Sequence, residues 1–160
     1  MKESMVIMSE IVLPNDTNPL GILLGGKLLH WMDIAAVICA QNHTNSIVVT
    51  AAVFNVSFVH PIFLGDTVFI EATISRVFNT SLEIKATAYS KELKKTKKVK
   101  AAEAYLTFSL KKSKKKIKPI VNSSELEYEM ALVRRKINKI LVNNNSKDYL
   151  KLMHLINNNF

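Results

Sequence analysis

The sequence predicts an α+β domain in which one long helix lies across an antiparallel sheet. Three observations carry that expectation. A proline-free stretch rich in Leu, Ala and Met follows a loop dense in Pro, Asn and Gly. Three later segments alternate apolar and polar residues with period two, the signature of half-buried strands. The length of 160 residues matches one domain, since domains run at roughly 100–200 residues.

Residues 6–13 (VIMSEIVL) are expected to form a first short strand. Residues 14–21 (PNDTNPLG) hold two prolines, two Asn, an Asp and a Gly, and read as a loop. A helix is expected from about Gly25 to Asn42. It is apolar nearly all round, the pattern of a buried helix. Residues 47–60 (IVVTAAVFNVSFVH) are apolar in both alternating sets, so this strand is expected to be covered on both faces. A connection through Gly65-Asp66 leads to three strands at 67–78, 81–90 and 99–110. Their inward sets are Val68, Ile70, Ala72, Ile74; Leu82, Ile84, Ala86, Ala88; and Ala102, Ala104, Leu106, Phe108, Leu110. One helix on one antiparallel sheet is a stable layer solution, and a long helix wrapped by such a sheet is the hotdog architecture.

A C-terminal helical extension follows. Ser124 and Glu127 have the spacing of a capping box, and Leu126, Met130, Val133, Ile137 and Leu141 fall at helical intervals. A shorter helix is expected over 147–156, after Asn143-Asn144-Asn145. The organisation is therefore a hotdog domain at 1–110, a basic linker at 111–122 and a helical extension at 123–160.

Charge is concentrated. The net charge is +9, yet residues 91–118 alone hold 12 Lys against Glu92 and Glu103. The rest of the chain is near neutral. Such a segment fits either a solvated edge or a phosphate-rich partner. No aromatic residues interleave with the Lys run, which speaks against single-strand nucleic acid. No apolar run approaches the ~20 residues of a membrane span. The N-terminus carries an acid and no signal-like apolar region, so a cytoplasmic protein is expected. The single Cys39 excludes an internal disulfide, and no His-x-x-x-His or Cys-x-x-Cys pair suits zinc. Cys39 reads as a buried core thiol.

Three features carry chemistry. Gly25-Gly26 opens the helix, where free N–H groups and the dipole favour a developing negative charge. Asp33 lies two turns further on, among Leu29, Ala36 and Val37, where an unpaired carboxylate is costly; it reads either as a functional group or as a carboxylate satisfied by a neighbouring strand or by solvent. Asn18, in the loop, suits either a turn cap or the orientation of a water or carbonyl. Asp33 is eight residues past Gly25, hence ~12 Å along the axis. If both act on one carbonyl carbon, they come from two chains, and a dimer with two composite sites follows.

With these residues in place, the chain resembles the hotdog-fold acyl-CoA thioester hydrolases of the cytosolic type. The resemblance rests on Leu13-Pro14-Asn15-Asp16-Thr17-Asn18, Gly21, Gly25-Gly26, Trp31-Met32-Asp33 and Val49-Thr50-Ala51. It continues through Ser57-Phe58, His60-Pro61-Ile62 and Gly65-Asp66, and covers roughly residues 7–110. It implies hydrolysis of acyl-CoA to free acid and CoA, with no metal or separate cofactor, by a homodimer commonly built into a hexamer. The family's catalytic Asp carries over to Asp33 and its loop Asn to Asn18. The chain departs from the family where a Gly-Arg or similar pair is usual and Phe78-Asn79-Thr80-Ser81 stands instead.

The expected catalytic set is Asp33, Asn18 and Gly26. The expected substrate contacts are Gly25, Thr50, Ser57, Thr80, Ser81, Lys98 and Lys100, the two lysines facing CoA phosphates. The competing readings are a non-catalytic acyl-CoA-sensing or nucleic-acid-binding hotdog that uses the Lys segment, and a hotdog dehydratase. The dehydratase needs a His with a carboxylate, and no His stands in the matching place.

Overall fold

The computed structural model describes residues 5–110, 116–119 and 124–142. In chain order these form β1 (Met5–Ile11), α1 (Gly25–Thr44), β2 (Val48–Phe58), β3 (Thr67–Val77), β4 (Ser81–Lys91), β5 (Val99–Leu110) and α2 (Glu125–Val142). The strands make one antiparallel sheet in the order β1-β3-β4-β5-β2. The chain divides into two compact units, Met1–Ser123 and Ser124–Phe160.

Period two dictates the core. Val68, Ile70, Ala72 and Ile74 of β3 are buried, as are Leu82, Ile84, Ala86 and Ala88 of β4 and Ala102, Ala104, Leu106 and Phe108 of β5. Alanines stand side by side across the central strands: Ala72 faces Ala86 and Ala86 faces Ala104, while Ala88 faces Ala102. Small side chains let a helix lie close. α1 touches all five strands and buries Leu28, Trp31, Met32, Ala35, Ala36, Cys39 and Ala40. It ends where Asn45 turns left-handed (φ 51°) and donates its N–H to Gln41.

Two expectations of full cover are not met within one chain. Ile34 and Ile38, one turn apart on α1, remain 36% and 39% exposed. Val49 and Val53 of β2 are also exposed, because β2 is an edge strand with only β5 beside it. The register of β2 on β5 shifts at Thr50/Ala52 and Phe54/Ser57, and Asn55 adopts φ 53° at the second shift. These are bulges, which bend an edge strand and raise its twist.

Residues 116–119 return to the first unit. Ile117 is buried in its core and donates its N–H to Asn79 (3.0 Å). His43 Nε2 donates to the Lys118 carbonyl (2.8 Å). In the second unit, Ser124 Oγ accepts the Glu127 N–H, half of the capping box, while the Glu127 carboxylate holds Arg134 at 2.8 Å. The expected helix at 147–156 lies outside the described residues.

Cys39 is fully buried, and burial pushes its thiol up to about 12. At pH 8 that leaves about one thiolate in 10⁴, and the thiolate is the reactive form. Alkylation with iodoacetamide, followed by mass spectrometry, is expected to leave Cys39 unmodified in the native protein. It should become modified once denaturant unfolds the chain.

Candidate active site

The loop between β1 and α1 is built on two side chains. Pro14–Asp16 form one 3-10 turn. Asp16 is buried; its carboxylate accepts the Leu13 N–H (3.0 Å) and pairs with Lys27 Nζ (3.1 Å). These two partners hold the Asp16 carboxyl below its ordinary value of 3.8, against a smaller opposing push from burial. Asn18 Oδ1 accepts the N–H groups of Leu20 (3.0 Å) and Ile22 (3.1 Å), an Asx-type turn. Gly21 sits at φ +70°, which an L side chain would strain. The loop is stitched to the 61–66 connection through Leu23 N–H to Ile62 and Leu64 N–H to Gly21. Asn18 therefore caps the turn with its oxygen and keeps its NH₂ group for another acceptor. Of the two roles open to it in the sequence, the fold shows the turn cap.

The loop delivers the chain to the start of α1. Leu24 is the N-cap and offers no side-chain cap; its N–H donates to the Asp16 carbonyl (2.9 Å). The first helical bond runs from Leu28 N–H to Leu24. The amides of Gly25, Gly26 and Lys27 are left without helical partners, as at any helix N-terminus. The two glycines differ in what they permit. A Cβ on Gly25 would lie 3.3 Å from Phe58 Cζ, whereas one on Gly26 would meet nothing within 4 Å. Gly25 thus admits the Phe58 ring, and Gly26 leaves the backbone open to solvent. A cavity of about 360 Å³ adjoins this point, lined by Ile22, Leu23, Gly25, Leu28, Phe58 and Ile62 among others.

Asp33 is half-buried, and it has a partner. Thr50 Oγ1, from the third residue of β2, donates to its Oδ1 at 3.0 Å. A neighbouring strand is one of the partners the sequence allows for Asp33, and β2 supplies it through Thr50, seventeen residues further on. Asp33 Oδ2 has no protein partner among the described residues.

The expected site residues fall into two groups at opposite ends of the sheet. Asn18, Gly25, Gly26, Phe58 and Ser57 lie at one end, where β2 finishes and β5 begins, together with Lys98 and Lys100. Asp33 and Thr50 lie towards the other end, with Thr80 and Ser81: Ser81 faces Ser109, and Thr50 faces Phe108. Thr50 and Phe58 pair with Phe108 and Ala102, six residues apart on β5, so the two ends are separated by ~20 Å at ~3.3 Å per residue. Ser81 is itself buried, and the Thr80 carbonyl accepts the Leu110 N–H.

The lysines face away from α1. A register shift at Ala88/Tyr89 buries Ala101 and turns Lys100 outward, where it holds Glu103 at 2.6 Å. Lys85 reaches the same carboxylate at 3.3 Å. Burial pushes the Glu103 carboxyl up, but the charges and hydrogen bonds of Lys100 and Lys85 together bring it below its usual value. Lys98 Nζ lies 3.9 Å from the Phe69 ring centre and Lys85 5.6 Å from that of Tyr105. Of these two lysines only Lys98 belongs to the Lys-rich segment, and the ring it meets comes from β3. Asp16, quoted above only as part of a motif, was the residue that sequence reasoning left without a role.

With this geometry in view, comparison with known proteins is specific. The thioesterase superfamily model matches residues 20–97. Acyl-coenzyme A thioesterase 11 of Mus musculus is 34% identical over 137 residues, covering 82% of this chain and 23% of that protein. An acyl-CoA thioester hydrolase of Bacillus subtilis is 36% identical over 107 residues, covering 67% of this chain and 62% of its own. This chain therefore spans about a quarter of the mouse protein and under two thirds of the bacterial one. Among solved structures, the acyl-CoA hydrolase of Bacillus cereus superposes with a TM-score of 0.81 at 30% identity, covering 93% of this chain and 94% of that one. The acyl-CoA hydrolase of Staphylococcus aureus, solved with butyryl coenzyme A and coenzyme A, gives 0.79 at 28% identity, covering 93% and 96%. The chain belongs to the hotdog-fold acyl-CoA thioester hydrolases of the thioesterase superfamily. Three structures of the S. aureus protein carry Ala in place of an Asp, a Thr or an Asn. There the Asn precedes the Asp by 15 residues and the Thr follows it by 17. Asn18, Asp33 and Thr50 repeat both spacings.

Asp16 makes a pH-dependent contribution to stability. A carboxyl lowered in the folded state stabilises fully above its unfolded value, and that stabilisation fades as pH falls through the folded one. The melting temperature of Asp16→Asn is therefore expected below that of the native protein near pH 7. The gap should narrow as pH drops below 3.8. Thermal unfolding followed by circular dichroism at a series of pH values reads it directly.

Proposed function

We propose that this chain is an acyl-CoA thioesterase, hydrolysing fatty acyl-CoA to free fatty acid and CoA at two composite sites of a homodimer. The observation that carries this reading is the separation of Asp33 and Thr50 from Asn18 and Gly26. A second copy, related by a two-fold axis and lying antiparallel along the free edge of β2, would bring the Asp33 end of one chain to the Gly26 end of the other. Such an isologous contact would also cover Val49, Val53, Ile34 and Ile38, which one chain leaves exposed. Further assembly into a trimer of dimers fits the family, in which one neighbour of TM-score 0.78 is described as a hexameric acyl-CoA thioesterase.

In this reading the thioester carbonyl oxygen points at the Gly26 N–H, where the helix dipole stabilises the oxyanion. The Asn18 NH₂ group donates to the same oxygen or to the attacking water. Asp33 of the other chain, held by Thr50, takes a proton from water as the new C–O bond forms. It returns that proton to the departing CoA thiolate when the C–S bond breaks. Direct attack by Asp33 to give an anhydride is the alternative. ¹⁸O found in the Asp33 carboxyl after one turnover in ¹⁸O-water marks the anhydride path, since only water attack on the Asp33 carbonyl of an anhydride puts it there. The apolar cavity beside Gly25 would receive the acyl or pantetheine portion. Lys98 and Lys100 stand at the same end as the helix start and would attract the CoA phosphates.

Release of free CoA from a panel of short to long acyl-CoAs tests the reading. The native protein is expected to turn over. Asp33→Asn should lose ~10²–10⁴ in kcat while still binding acyl-CoA. An active Asp33→Asn protein, or a native protein inert on every chain length, would contradict the proposal. Replacing Lys98 and Lys100 with Ala is expected to raise KM about 2–5-fold at low ionic strength, the scale of exposed charge pairs. Added salt should shrink that difference.

A further inference from the structure

The geometry points to Asp16 as a positioning residue that joins the Asn18 loop to the oxyanion end of α1. Four bonds meet at this one buried residue. Its carboxylate takes the Leu13 N–H at 3.0 Å and Lys27 Nζ at 3.1 Å. Its own N–H donates to the Leu13 carbonyl, and its carbonyl accepts the Leu24 N–H, both at 2.9 Å. Leu24 is the N-cap of α1, and Lys27 lies in that helix's first turn. Asn18 follows two residues later, its oxygen committed to Leu20 and Ile22. The NH₂ group of Asn18 and the N–H of Gly26 are therefore both referenced to Asp16.

The pairing with Lys27 has an electrostatic purpose as well. A bare carboxylate beside a helix N-terminus would compete with a developing oxyanion for the same positive field. Lys27 cancels that charge, and its ammonium rests 5.5 Å from the centre of the Trp31 ring, which limits where it can move. Asp16 thus supplies geometry without contributing net negative charge. It touches no reacting atom; it acts through Asn18 and the helix start.

This assignment rests on the thioesterase reading for its kinetic consequence but not for its structural one, so the experiment reads both. Asp16→Asn keeps an acceptor for the Leu13 N–H and removes the ion pair. It is expected to lower kcat on acyl-CoA ~10–100-fold, with KM moving less than about 3-fold, as misplacement of a catalytic group does. In an Asn18→Asp background, where that donor is already gone and only the share that runs through the helix start remains, the same substitution should cost a smaller factor than it does in the native background. Independently, hydrogen exchange at the Leu20 and Ile22 amides should speed up at least ~10-fold in Asp16→Asn relative to sheet amides such as Ala86. Full multiplication of the two kinetic losses would overturn the assignment. So would Leu20 and Ile22 exchange that changes only as much as the sheet. If the native protein releases no CoA, the thioesterase reading fails while the exchange result still decides Asp16. Should Asp16→Asn not fold, Lys27→Met removes the same ion pair, and the same expectations apply.

Discussion

The contact between α1 and the alanine-lined floor of the sheet sets where Gly25, Gly26 and Asp33 stand in the first unit. Ala72, Ala86 and Ala104 stand in register across three strands, and Met32, Ala35, Ala36 and Cys39 are buried from the helix side. The helix has little freedom to slide, because interiors are packed like crystals and a displaced side chain meets its neighbours. A rigid helix of 20 residues then works as a ruler. Its N-terminal amides fall at one end of the sheet and Asp33 falls ~12 Å further along. On the proposed reading, one chain presents two incomplete halves of a site, and the exposed β2 edge is where a second copy would complete them.

The helix start is held from outside the helix. Most helices satisfy their first amides with a Ser, Thr, Asp or Asn at the N-cap. Here the N-cap is Leu24, and no side chain caps the helix. That arrangement forgoes a cap's stability and leaves the amides of Gly25 and Gly26 without a side-chain acceptor. The entry angle of the chain is fixed instead by main-chain bonds to Asp16 and to the 61–66 connection. Open amides and a firmly placed backbone are the two requirements of an oxyanion site, which works only when its dipoles need not reorganise.

Much of this was legible in the sequence. The alternation of β3, β4 and β5 and the breaker-rich loop before α1 are local signals, and each element lies within a residue or two of its expected bounds. Asp33, Asn18 and Gly26 stood out because their types were wrong for a core or unusual for a helix start. Long-range partners were not legible. Nothing near Asp33 in the chain announces Thr50, and the lysines over Phe69 and Tyr105 come together only through strand pairing. The bulge at Ala88/Tyr89, which turns Lys100 away from the helix, is invisible to a period-two count. The double apolar pattern of β2 predicts cover on both faces, which a single chain does not supply.

The central claim is that each site draws Asp33 from one chain and Asn18 with Gly26 from the other. Co-expression of an Asp33→Asn chain with an Asn18→Ala chain, each nearly inactive alone, tests it most directly. In the mixed dimer one site inherits both lesions and the other inherits none. Random pairing of equal amounts is therefore expected to restore about a quarter of native CoA release. A mixture no more active than its two parents would contradict the account, because it would place Asp33 and Asn18 in the same site of the same chain.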